Sequence, residues 1–153
     1  MNFQDFIIDP KDAKRILIGA SGKLGPMDFA QGLVAIIAGS LILNLVSLVP
    51  GIGPLVGFLG GLVLAFAWVC IFSKRFHDAG QSGWMTVAAI VAVIVLSVVI
   101  AMILTPLFGG ASFTDMSRMQ TMGFGFAVKN MITSVLANAA VGYYMFKLKP
   151  ALL

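Results

Sequence analysis

Glutamate is missing from this chain of 153 residues, histidine and cysteine occur once each, and charged residues make up only 10% of it. Each shortage removes a class of function. A lone Cys70 cannot close an internal disulfide, and within an apolar run it reads as a small packed side chain. His77 has no second histidine or glutamate to join it, and Cys70 lies about two helical turns back, so three protein ligands for a metal are not assembled locally. No carboxylate falls inside a long apolar run, which leaves no placed acid, base or nucleophile for catalysis. The sequence predicts no catalytic residue, no metal and no cofactor.

What the chain has in quantity is apolar surface. Hydrophobic residues reach 59% and mean hydropathy is +1.02, far above a soluble domain of this size. A bilayer core about 30 Å thick needs roughly 20 apolar residues per helix, and the chain holds about four such runs with little left over. The expectation is an all-α integral membrane protein: a four-transmembrane-helix bundle with an N-terminal amphipathic interfacial helix. A net charge of +4 would suggest nucleic acid in a soluble protein. Here the basic residues sit at the ends of apolar runs, where membrane orientation accounts for them, so nucleic acid is not an expected partner.

Residues 1–25 read as a cytoplasmic or interfacial arm and 26–153 as one membrane domain. The first long apolar run begins only near Phe29 and is too long for a signal-peptide core, so no cleaved leader is expected. Asp9-Pro10-Lys11-Asp12 has the signature of a helix start, with Asp9 as N-cap, and Gly19 is a plausible stop. Lys11, Lys14 and Arg15 beside Phe3, Phe6, Ile7, Ile8, Ile16 and Leu17 suit a helix lying on a membrane surface. A loosely ordered arm that only carries topogenic charge is the alternative.

Spans are expected at about 29–49, 54–72, 84–107 and 126–146. Pro50-Gly51-Ile52-Gly53-Pro54 between the first two breaks helix geometry and makes a tight hairpin. A nucleotide loop there is excluded: no strand precedes it and the spacing to Gly57 is wrong. Gly53, Gly57, Gly61 and Ala65 recur every four residues and form a small-residue face for close helix packing, inside the bundle or against another subunit.

Between the second and third runs lies the densest polar cluster, Lys74-Arg75-Phe76-His77-Asp78-Ala79-Gly80-Gln81-Ser82-Gly83-Trp84. Lys74 and Arg75 are expected to stop the second helix, Asp78 and Gly80 to turn the chain, Ser82 to cap the next helix and Trp84 to sit at the headgroup level. Arg75 and Asp78 can pair if the helix continues that far. His77 could carry a proton or contact a ligand, though a structural loop explains each residue. Arg75, His77, Asp78, Gly80, Ser82, Gly83 and Trp84 reproduce Arg-x-His-Asp-x-Gly-x-Ser-Gly-Trp, and here the chain resembles the domain of unknown function 805 family of small bacterial inner-membrane proteins. Met85 stands where that family has a second aromatic. Gly22, Lys23 and Phe29 echo only part of its N-terminal signature, with Pro26 and Ala30 at the remaining places. The resemblance implies a multi-helix protein of the bacterial inner membrane and no particular activity.

In the third run, Ala88 and Ala92 form a second close-packing pair. After it, Met116, Met119 and Met122 stand three apart. Copper(I) takes thioether ligands, but without histidine or cysteine nearby the spacing better fits the apolar face of a short interfacial helix. In the fourth run, Lys129 lies within a turn of the helix start and is expected to snorkel outward. Ser134, Asn138 and Gly142, at four-residue intervals, should point into the bundle or at a partner helix. Tyr143, Tyr144, Lys147 and Lys149 suit an interface.

Lys11, Lys14, Arg15, Lys23, Lys74, Arg75, Lys147 and Lys149 fall on one side against Arg118 and Lys129 on the other, so both termini and the central loop should be cytoplasmic. The expected function is non-enzymatic: an accessory or scaffolding subunit packing against a larger membrane complex, with membrane lipids and partner subunits or self-association as contacts. The alternative is a small transporter, channel or lipid-binding protein acting as a homo-oligomer. Transporters, however, carry intramembrane ionisable groups or inverted repeats that are not evident here.

Overall fold

The structure is a computed structural model that describes residues 6–19, 21–108 and 124–151. It is helical throughout its regular structure: α1 (Pro10–Leu17), α2 (Pro26–Val46), α3 (Gly53–Asp78), α4 (Met85–Phe108) and α5 (Phe124–Lys147). Among the described residues α2, α3 and α4 are long and apolar enough to cross a membrane. The 24-residue α5 matches α4 in length but carries Lys129, Asn130 and Asn138. The Met116, Met119 and Met122 segment lies outside the described residues.

Local chemistry accounts for the helix starts. The Asp9 carboxylate accepts from Lys11 N at 2.9 Å, Pro10 opens α1 with its fixed φ, and Asp12 sits in the positive first turn. Gly19, at φ +87°, turns the chain after α1. Pro26 and Pro54 open α2 and α3 in the same way. Between those helices the chain reverses within six residues, 47–52, with Gly51 at φ +87°.

The end of α3 differs from expectation. The helix does not stop at Lys74 and Arg75 but runs on through Asp78, and both basic residues are buried. Neither charge terminates α3 in water, because each is consumed by a neighbouring helix end. Lys129 is corrected too: it does not snorkel but is 3% exposed. Its ammonium lies 3.5 Å from Thr105 Oγ1 of α4 and 5.3 Å from the Phe126 ring centroid. Those contacts replace the hydration it would otherwise seek.

The helices pack α2 on α3, α4 on α5 and α2 on α5, with α1 laid across α2 and α3. Aromatic side chains fill the centre: Trp68 stacks on Phe72 at 3.7 Å and Phe29 meets Phe72 edge-on at 5.1 Å. Small residues let α2 and α3 close on each other. A Cβ at Gly60 would fall 2.6 Å from Leu43, one at Gly39 3.2 Å from Leu64, and one at Gly53 2.7 Å from the carbonyl oxygens of Val46 and Ser47. The outer faces are apolar, with Phe58, Leu62, Phe66, Val91, Ile94 and Ile103 exposed. A continuous surface of that kind suits hydrocarbon rather than water.

Candidate functional site

The polar cluster at the end of α3 is a knot that ties three helix ends together. Lys74 sits one turn before the end of α3 and reaches sideways to α1. Its Nζ donates to Arg15 O and Ile16 O, each at 2.7 Å. These carbonyls belong to the last turn of α1, where no helical N–H remains to pair them and the dipole favours a cation. Beside it, Ile16 is fully buried against Gly32 of α2. Arg15 bridges Asp28 at 2.9 Å and Asp12 at 3.2 Å. The hydrogen bond it donates to Asp28 first, then that to Asp12, raises the Arg15 guanidinium above its ordinary value and keeps it charged.

Arg75 performs the same service for α5. It is 0% exposed, and its Nε donates to Met145 O at 3.1 Å. Its Nη2 donates to Phe146 O at 3.4 Å and also to Leu148 O, while Nη1 donates to Asp78. One guanidinium thus bonds two carbonyls in the last turn of α5, the Leu148 carbonyl just beyond it and one carboxylate, which its planar fork allows and a lysine could not match. Ala151 N adds a bond to Asp78 O at 2.8 Å. Gly80 is at φ +70°, and a Cβ there would lie 2.8 Å from Ala151, so the turn and the returning chain both require glycine.

The remaining polar residues of this stretch line a pocket of about 430 Å³ between α3 and the start of α4, walled by Ser73, His77, Ser82, Gly83, Trp84 and Thr86 over Val69, Val87 and Ile90. Ser82 is not the N-cap of α4, which begins at Met85: it lies in the turn before the helix, where its carbonyl accepts from Met85 N at 3.0 Å and its hydroxyl accepts from Trp84 N at 3.4 Å. A Cβ on Gly83 would lie 2.8 Å from His77 Nε2 and 3.0 Å from Ser73 Oγ, so only glycine admits the imidazole here. Trp84 is 82% exposed at the rim. Among the described residues, no cluster of three His, Cys, Asp or Glu could hold a metal.

Deeper in the bundle, Asn138 of α5 accepts from Trp68 Nε1 at 2.8 Å and donates to Ser134 O at 2.9 Å. The Asn138 face of α5 therefore meets α3, while Gly142, one turn on, packs against Leu33 of α2. The other small-residue ladder divides: Gly53 and Gly57 lie against the end of α2, Gly61 has nothing within 4 Å of a Cβ position, and Ala65 lines a second cavity. Asn138→Leu removes the only partner shown for Trp68 Nε1. It is expected to lower stability by about 0.6–1.7 kcal/mol, the range for hydrogen bonds between membrane helices. An unchanged unfolding midpoint in mixed micelles would refute that.

Sequence reasoning missed two members of this set. The Lys74 contact with α1 is not encoded by spacing. The Trp68–Asn138 bond had a signal: Trp68 lies ten residues before the end of α3 and Asn138 nine before the end of α5, which places them at one depth if those ends meet. No protein family, curated protein or solved structure matches the chain.

Proposed function

We propose that the chain is a non-catalytic, four-span protein of the bacterial inner membrane, of the domain of unknown function 805 type, that serves as an accessory or scaffolding subunit of a larger membrane complex. α5 is taken as the fourth span because it is long enough and packs along both α2 and α4. α1 is taken as an interfacial amphipathic helix, since Ile16 is buried while Lys11, Lys14 and Arg15 are exposed. Cytoplasmic termini agree with the clustering of α1, the end of α3 and the end of α5 at one pole rich in basic residues.

The observation that carries the accessory role is the outer face of α3. Polar groups of the knot and of the Trp68–Asn138 pair are turned inward, so they offer nothing for a partner to read. Gly61, by contrast, lies open between exposed Phe58, Leu62 and Phe66. In lipid, a bare glycine on an outward face lets a second helix approach its backbone closely, which is how membrane helices gain contact. Gly61→Leu should abolish co-purification with the partner from native membranes in mild detergent while the bundle stays folded. Retention of the partner would overturn this assignment. Gly57 is unsuitable for the test, because a side chain there would run into Ser47 of α2.

A transporter, channel or lipid-binding homo-oligomer is the second reading, favoured by the cavity between α3 and α4 and by the one that α2, α3, α4 and α5 line together. If it holds, the purified chain forms a small homo-oligomer and moves a solute across liposomes without other subunits.

A further inference from the structure

We propose that the groove between α3 and α4 holds one glycerophospholipid, with its phosphate headgroup in the His77–Thr86 pocket and one acyl chain in the cleft beneath. The site does not depend on the partner proposed above. It arises because α3 packs mainly on α2 and α4 mainly on α5, which leaves little direct packing between α3 and α4. Two cavities occupy the gap. The upper one, about 430 Å³, carries the hydroxyl and imidazole groups. The lower one, about 330 Å³, is walled by Leu64, Ala65 and Trp68 of α3 and Val93 and Ile94 of α4, and is backed by Ile36 and Ser40 of α2 and Ser134 and Asn138 of α5. Val69 and Ile90 belong to both walls, so the polar and apolar compartments adjoin at these two residues.

That order of polarity is the order within a lipid. The twelve residues from Ala65 to His77 rise about 18 Å at 1.5 Å each, close to the roughly 15 Å depth of one leaflet with its headgroup above. In the upper compartment no carboxylate lines the wall, so nothing there repels a phosphate. The Asp78 carboxylate beside it is engaged by Arg75. The amino end of the 24-residue α4 adds positive potential. Independently, Thr86 is 3% exposed, forms part of this wall, and its Oγ1 has no hydrogen-bond partner. A buried hydroxyl is costly to leave unpaired, and a phosphate oxygen is an acceptor that would complete it once a χ1 rotation turns the sealed Oγ1 toward the cavity. Trp84 at the rim suits the headgroup level.

The test is native mass analysis of the full chain in mild detergent, supplied with phosphatidylglycerol or, in a parallel sample, diacylglycerol of the same chains. One phosphatidylglycerol per chain should be retained, about tenfold more tightly than diacylglycerol, the factor expected from one hydrogen bond to a charged group. Thr86→Val with His77→Gln should erase that preference, and Val69→Trp, which plugs the junction of the two cavities at an already exposed position, should abolish retention. Thermal unfolding identifies any variant that fails to fold. Equal retention of the two lipids by the native chain would overturn the headgroup assignment. Undiminished retention by folded Val69→Trp would overturn the groove.

Discussion

Arg75→Leu is expected to destabilise the bundle by about 3–5 kcal/mol, the range for breaking a buried ion pair by removing one partner. The size follows from what is left behind. Asp78 keeps its charge without a counter-ion, the carbonyls of Phe146 and Leu148 lose the guanidinium, and Met145 O is left with only the 3.3 Å bond from Leu148 N. Replacing both residues, Arg75→Leu with Asp78→Leu, should recover part of the loss, because the stranded carboxylate goes as well. Arg75→Lys keeps the charge but not the fork and should fall between. Unfolding midpoints in detergent rank the variants. If Arg75→Leu melts with the native protein, the knot contributes nothing and the position of α5 is held by apolar packing alone.

Lys74→Met has a more local consequence. The substitution preserves the length and apolar stem of the side chain and deletes only the ammonium that pairs Arg15 O and Ile16 O. Each hydrogen bond from a charged donor contributes about 1.5–3 kcal/mol. The Arg15–Asp28 bridge is too exposed to replace them, since such pairs contribute about 0–1 kcal/mol. α1 should therefore leave its seat against Gly32 while the rest of the bundle remains folded. Trypsin cleavage within the arm, at Lys11, Lys14, Arg15 or Lys23, should accelerate on the order of a hundredfold, the factor matching about 2.7 kcal/mol of lost docking. Arm cleavage at the native rate would mean that Ile16 burial suffices to hold α1.

Part of this architecture is written in neighbouring residues. An Asp9-Pro10 start, the prolines that open α2 and α3, and the Pro50–Pro54 reversal act through steric and hydrogen-bonding rules that span a few positions, so they can be read without knowing what packs where. The same holds for the apolar runs that make α2, α3 and α4 long enough to cross a membrane. Even the Arg75–Asp78 pair follows from three-residue spacing once α3 is allowed to continue.

The fate of the charges was decided elsewhere. Lys74, Arg75 and Lys129 each look like residues that should seek water, and local rules send them there. The folded chain buries Lys74 and Arg75 because α1 and α5 end beside them, and terminal carbonyls are acceptors strong enough to hold a cation, whereas Lys129 is held by Thr105 of α4 and the Phe126 ring. The packing of α3 was likewise set by its crossing with α2. The four-residue ladder cannot say that Gly60 meets Leu43 while Gly61 faces outward, because both lie within one turn and only the partner helix distinguishes them. Chain-local chemistry determined which segments are helices and where they begin. Tertiary contact alone determined which helix end each cation closes, since those groups come together from 58 and 70 residues apart, and that α3 and α4 leave a groove, since each packs mainly on another helix.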